Sequence, residues 1–163
     1  MPAPSPTDEQ LRDRVFEQAR AGDFIRARQT TRGIVDRKYL REAWLGMLSI
    51  QTVRRDVQGI KELIVACPDH SLLRSHQYLE LPLVFLRTGD VSGAREIANT
   101  MGSYGKLSLI LIPIYLAGEG DFAGARTAAS QLEDEGSRNG IMDMVDQIQG
   151  KQKTEAPEES NHT

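Results

Sequence analysis

Apolar residues recur at helical spacing on both sides of a Gly-Asp pair. In the stretch "HQYLELPLVFLRTGD", Tyr78, Leu81 and Phe85 recur at intervals of three and four residues. After this Gly-Asp, Ala94 and Ala98 continue the helical spacing. Such spacing places apolar side chains on one face of an α-helix. The pattern therefore predicts two helices joined by a short turn at Gly-Asp.

This unit is repeated along the chain. Its aspartates are Asp23, Asp56, Asp90 and Asp121, at spacings of 33, 34 and 31 residues, and in the second copy an arginine replaces the glycine before the aspartate. An apolar residue follows each aspartate, a small or apolar residue lies four positions after it, and a base lies five positions after it. The last three copies also carry a glycine three positions after the aspartate. A period of this length is typical of helical repeat proteins.

The turn residues have a physical role. Glycine adopts the left-handed conformation that closes a helix. Aspartate accepts hydrogen bonds from the unpaired N–H groups that open the next helix. We therefore predict that each of the four aspartates starts a helix. We also expect the small residues three and four positions later to let two helices approach closely, so that a large side chain there would separate them.

Both ends of the predicted repeat region carry helix signals. Thr7 followed by Gln10 forms a capping box, which predicts a first helix from about residue 8. Near the other end, Ile141, Met144, Val145 and Ile148 share one face of a predicted helix that would cap the last repeat. The predicted organisation is a flexible N-terminus at residues 1–6, repeats at about 8–35, 40–67, 72–102 and 106–133, a cap at 138–149, and a disordered acidic tail at 150–163.

The repeated pattern of Gly-Asp, an apolar residue, two variable positions and alanine resembles the tetratricopeptide repeat over about residues 11–132. Trp44, twelve residues before Asp56, lies where that family favours an aromatic residue. The chain diverges from the family at Pro82 and Pro113, which replace a small residue eight positions before the aspartate. The resemblance implies an all-α fold, a right-handed α-α superhelix (solenoid) of about four helical hairpins with a C-terminal capping helix. It also implies protein or peptide binding rather than catalysis.

Composition and charge bear mainly on the cellular compartment of the protein. Cys67 is the only cysteine and cannot form an internal disulfide, which favours a reducing, cytoplasmic environment. The most apolar run, "LSLILIPIYLA", is about half the length of a membrane helix, so we expect no membrane partner. The net charge is only −3, but the chain runs from basic to acidic: residues 1–60 carry 11 bases and 8 acids, and residues 118–163 carry 4 bases and 10 acids.

Candidate catalytic residues are few. "PDHS" places Asp69, His70 and Ser71 in a row, but adjacent residues do not face one another as a catalytic triad requires. We interpret Ser71 as a helix N-cap and the other two as turn residues. His76 lies on a different helical face from His70, which disfavours a metal site. We therefore predict a protein that is not an enzyme and binds neither metal nor cofactor.

The first candidate binding surface is apolar. If the first helix of each repeat lines a concave surface, as in the tetratricopeptide family, the inward positions of the third and fourth repeats form a hydrophobic groove. These positions are Leu79, Leu83, Leu86, Ile110 and Ile114. Three covers fit this apolar face: the C-terminal helix, a second copy of the chain, or a helix of a partner protein. We predict an adaptor for a partner helix or peptide, with a homodimeric structural subunit as one alternative.

The second candidate surface is the column of bases five positions after each aspartate. This basic stripe consists of Arg28, Lys61, Arg95 and Arg126. One base per repeat could follow an RNA backbone, which makes a helical-repeat RNA binder a further alternative. The stripe could also bind an acidic protein, or each base could pair with an acid on a neighbouring helix. Because the chain is net acidic and no aromatic residue is interleaved with the bases, nucleic acid is the less favoured partner.

Overall fold

The computed structural model describes residues 5–73 and 76–155, and for residues 76–79 and 155 it describes the backbone alone. These residues contain nine α-helices, two short 3₁₀ helices at His70–Leu73 and Gly102–Tyr104, and no β-strand. The prediction of an all-α fold is confirmed. The α-helices are α1 Asp8–Arg20, α2 Phe24–Thr31, α3 Arg37–Arg54, α4 Val57–Ala66, α5 His76–Leu86, α6 Val91–Thr100, α7 Gly105–Gly118, α8 Phe122–Ser130 and α9 Glu135–Glu155.

All four predicted aspartate caps are present, at the starts of α2, α4, α6 and α8. The carboxylates of Asp56, Asp90 and Asp121 each accept the backbone N–H of the glycine three residues later, at 2.8 Å. The carboxylate of Asp23 accepts the N–H of Arg26 at 3.0 Å. The capping box that starts α1 is also confirmed. Helix starts could be predicted because each cap depends on residues only three positions apart.

The residue before each of these aspartates has left-handed backbone. Gly22, Gly89 and Gly120 have φ angles of 90°, 80° and 86°. In the second copy Arg55 takes the same region with φ 56°. Left-handed backbone is unfavourable for a residue with a Cβ, so the turn geometry persists here against the preference of the side chain. The turn of the second copy therefore forms without a glycine.

Removing a cap should destabilise the fold modestly. We expect Asp90→Ala and Asp121→Ala each to cost about 1 kcal/mol, because the N–H of Gly93 or Gly124 loses its acceptor. Urea unfolding followed by circular dichroism measures the change. Asp143→Ala is the matched control, because Asp143 is exposed in the interior of α9 and caps no helix. Wild-type stability in both cap variants would contradict the capping role.

The glycines that follow the caps differ in what an added Cβ would meet. At Gly59 the obstacles include the side chain of Gln51 in α3, in agreement with the predicted close approach of two helices. At Gly124, the three atoms nearest to an added Cβ all belong to Asp121, with its Cγ at 2.7 Å. At Gly93, an added Cβ would meet both the cap carboxylate of Asp90 and Cγ2 of Val57, at 2.8 Å, in α4. At Gly93 an added side chain is therefore limited both by the cap and by the close approach of two helices. At Gly124 the cap carboxylate alone is the nearest obstacle.

Each helix before a cap aspartate packs against the helix after it, so α1 contacts α2, α3 contacts α4, α5 contacts α6 and α7 contacts α8. The first helices also contact across copies, α1 with α3 and α5 with α7. The second helices of the pairs, α2, α4, α6 and α8, do not all pack on one another. Helix α4 packs on α6, but α2 makes almost no contact with α4, and α6 makes almost none with α8. The core between them includes the fully buried side chains of Met47, Ile60, Phe85, Ile97 and Ile112.

Helix α9 corresponds to the helix that was predicted as a cap, and it extends the buried core. Helix α9 packs against α7 and α8 and buries Ile141 and Val145. Its bounds differ from the predicted 138–149. It starts earlier because the carboxylate of Asp134 accepts the N–H of Ser137 at 2.6 Å. It continues through residues 150–155, which were predicted to be disordered, because no proline interrupts the sequence there.

Parts of both predicted flexible ends, residues 1–4 and 156–163, lie outside the described residues. The two mid-helix prolines do not divide their helices: α5 continues across Pro82 and α7 across Pro113. Both prolines are buried. Their rings therefore contribute to the core between the first helices.

Candidate functional site

One concave feature is a cleft of about 720 Å³ between α6, α7 and α8, which we call the α6–α8 cleft. Its apolar lining includes Leu109, Ile110 and Ile112 of α7, together with Leu132 after α8. Ile112 and Leu132 are buried, whereas Leu109 and Ile110 are half-buried. The cleft therefore presents apolar side chains that the core has not fully covered.

Charges of both signs accompany this apolar lining. Arg95 of α6 and Lys106 of α7 are basic, and Glu133 and Asp134 between α8 and α9 are acidic. Hydrogen bonds from Ser137, together with the positive charges of Arg138 and Lys106, hold the pKa of Asp134 below its usual value. Asp134 is consequently ionised at neutral pH and fixed in place as the cap of α9.

Local sequence explains why the cleft forms here. Gly102 has left-handed backbone with φ 60°, which turns the chain sharply between α6 and α7. Gly105 then lies directly against the backbone carbonyl of Ala98, so the start of α7 is held tightly against the end of α6. Because α8 packs on α7 and makes almost no contact with α6, a gap remains between α6 and α8.

The predicted apolar groove residues are not equivalent in the structure. Ile110 lines the α6–α8 cleft, and Leu83 and Ile114 are half-buried against the core. The prediction for Leu86 is wrong: its side chain is only 3% exposed and belongs to the core. It is buried because α5 is contacted by both α6 and α7. The side chain of Leu79 lies outside the described residues.

The sequence analysis missed the exposed apolar residues of α5 and α7. Leu107 of α7 is 59% exposed, and Val84 of α5 is 37% exposed. Apolar residues occur almost all round α7, so the helical periodicity gives no signal to distinguish an exposed position from a buried one. Only the placement of α5, α6, α8 and α9 around α7 identifies which of its faces remains uncovered.

The basic stripe divides into two paired and two unpaired side chains. Lys61 pairs with Glu96 of α6 at 2.8 Å, and Arg126 pairs with Asp146 of α9 at 2.7 Å. Arg95 lines the α6–α8 cleft, and Arg28 lines a second cleft near α2. Neither of these two guanidinium groups has a salt-bridge partner among the described residues.

The register of the repeat explains this division. The acid that pairs with Lys61 lies six positions after the next cap aspartate, Asp90. After Asp121 the corresponding residue is Thr127, which leaves Arg95 without a carboxylate. For Arg28 the corresponding acid is Glu62. Because α2 and α4 make almost no contact, Glu62 instead accepts a hydrogen bond from Gln58 within α4.

The residues singled out for possible chemistry have structural roles. Asp69, not Ser71 as predicted, caps the 3₁₀ helix: its carboxylate accepts the N–H of Ser71 at 2.8 Å. It also pairs with Arg37 at 3.0 Å, and hydrogen bonds from Ser71, with the charge of Arg37, lower its pKa. Cys67 is buried, and burial raises the pKa of its thiol, which disfavours a reactive thiolate.

Comparisons with known proteins add no family assignment. The chain matches no protein-family model, and no curated protein or solved structure is significantly similar to it. In the part of the chain that the structure describes, no helix has both the length and the apolar content needed to cross a membrane. Across the same residues, no three His, Cys, Asp or Glu side chains are grouped in a way that could hold a metal ion. We therefore infer function from the clefts and ion pairs.

Proposed function

We propose that this protein is a non-enzymatic interaction module, an adaptor that binds a partner helix or peptide in the α6–α8 cleft. The observation that carries the proposal is the incompletely buried apolar lining of that cleft, with Leu109 and Ile110 half-buried beside charges of both signs. An amphipathic partner helix buries an apolar face in such a groove and places its charged residues at the edges.

The same proposal includes the tetratricopeptide-like architecture, a right-handed superhelix of about four helical hairpins with α9 as its cap. It is supported by four equivalent aspartate caps, by left-handed backbone before each of them, and by packing within each helix pair. Helix α9 continues the pattern at the end. Its residue Ser137 lines the cleft with Lys106, and the Gln152 amide donates to the carbonyl of Gly118, so α9 runs alongside α7 in the same direction.

Two alternatives make different use of these surfaces. A homodimeric structural subunit could use the exposed side chain of Leu107 on α7 as a subunit contact. RNA binding along the basic stripe is less well supported, because Lys61 and Arg126 are engaged in ion pairs between helices. A buried, unpaired Cys67 is in keeping with the proposed cytoplasmic location.

Site-specific crosslinking tests the adaptor proposal. A photoreactive amino acid at Gln131, an exposed residue that lines the α6–α8 cleft, should capture a distinct partner in native lysate. Arg95→Glu and Ile110→Asp should each abolish that capture, the first without touching the apolar lining. Val65→Asp is the matched control, since Val65 is 74% exposed on α4.

Circular dichroism and thermal unfolding of every variant identify any loss of fold. Capture that survives both substitutions in folded protein would contradict the proposal. Crosslinking to a second copy of the chain, accompanied by a dimer mass in solution, would instead establish the homodimer.

A further inference from the structure

A second cleft, of about 530 Å³, lies between α2, α3 and the end of α4, and we call it the α2–α4 cleft. Its apolar lining includes Ile34, Leu40, Ala66 and Pro68. Ile34 is buried and Leu40 is half-buried, so both lie against the core. A cleft of this size lies within the range typical of small-molecule sites.

The charges that line this cleft are all of one sign. Arg28 and Arg32 line it, and no Asp or Glu does. Neither guanidinium group has an ion-pair or hydrogen-bond partner among the described residues. Arg28 is half-buried, and a guanidinium group in that position gains from an oxygen anion placed beside it. This contrasts with the α6–α8 cleft, which has acids as well as bases.

Trp44 forms part of the wall of the α2–α4 cleft. Its side chain lines the cleft and is 2% exposed. Its indole N–H is buried and has no hydrogen-bond partner among the described residues. Buried polar groups in folded proteins almost always have a partner, and an indole N–H can only donate. The Trp44 ring therefore offers an apolar surface to the cleft, while its N–H is buried away from it.

We propose that the α2–α4 cleft binds a small amphiphilic carboxylate. The apolar body of the ligand packs against Ile34, Leu40 and the Trp44 ring. Its carboxylate accepts hydrogen bonds from Arg28 and Arg32. The site shares no lining residue with the α6–α8 cleft, so it is independent of the proposed adaptor function.

Trp44 is also the reporter for the test, because it is the only tryptophan in the chain. Octanoate, titrated well below the concentration at which it aggregates, should change the tryptophan emission saturably. Octanamide has the same apolar chain without the charge and should bind at least about tenfold more weakly, as expected when a charge-assisted hydrogen bond is lost.

Arg28→Gln and Arg32→Gln should each weaken octanoate binding by about tenfold for the same reason. Arg14→Gln is the matched control, because Arg14 is exposed on α1 and lines neither cleft. It makes the same change in net charge and should leave the affinity unchanged. Equal binding of octanoate and octanamide, unchanged affinity in both cleft variants, or no saturable change in emission would each overturn the proposal.

Discussion

Gly105→Ala should destabilise the protein by about 1–3 kcal/mol, although it adds only one methyl group. A Cβ at this position would overlap the carbonyl oxygen of Ala98 and would lie 2.6 Å from the carbonyl carbon. Both obstacles are backbone atoms at the end of α6 and cannot rotate away as a side chain does. The whole start of α7 would have to move, and with it the packing between α6 and α7. Urea unfolding followed by circular dichroism measures the loss.

Gly140→Ala is the control for this change. Gly140 lies in the interior of α9 with no atom within 4 Å of an added Cβ. Alanine is favoured over glycine in a helix, so this variant should be more stable than the wild type by up to about 1 kcal/mol. If Gly105→Ala also stabilised the protein, that result would contradict the close packing of α7 against the end of α6.

Val145→Asp should cost about 3–5 kcal/mol, the range for leaving an unpaired charge in a protein interior. Val145 is fully buried where α9 packs on α7 and α8. Undocking of α9 sets the upper limit of the cost, because the helix can leave the core and place the carboxylate in water. Thermal unfolding measures the stability, and amide hydrogen exchange across residues 135–155 distinguishes undocking from global unfolding.

The neighbouring substitution Met144→Asp separates the effect of burial from the effect of charge. Met144 is 41% exposed on the same helix, and its replacement makes the same change in net charge. We expect a loss of at most about 0.5 kcal/mol there, as is usual at surface positions. Equal stability of the two variants would show that α9 does not pack on the core in solution.

Features set by neighbouring residues could be predicted from the sequence. The aspartate caps and the capping box at Thr7 were predicted correctly, because the atoms that form them are three residues apart. Periodicity identified the buried face of α9 in part: Ile141 and Val145 are buried and Ile148 is half-buried, but Met144 is 41% exposed. The early start of α9 could have been found as well, since Asp134 precedes the helix in the same way as the other caps.

Features set by contacts between distant helices could not be predicted in the same way. Leu86 was assigned to a groove because the repeat was assumed to be regular, yet the placement of α6 and α7 buries it. The pairing of Lys61 with Glu96 requires α4 and α6 to be adjacent, and no local sequence pattern indicates that adjacency. The two clefts depend on which second helices fail to meet, and that is a property of the whole fold.

The uneven packing of the second helices has a mechanical consequence. At the junction between the first two helix pairs, α1 holds to α3 while α2 and α4 stand apart, and at the last junction α5 holds to α7 while α6 and α8 stand apart. Each junction thus has an open edge where two second helices do not meet, although α2 still contacts α3 and α6 packs closely on α7. Both clefts lie in the open edges. A molecule bound in either cleft would contact both helices of an open edge, so its affinity would be coupled to the separation of those two helices.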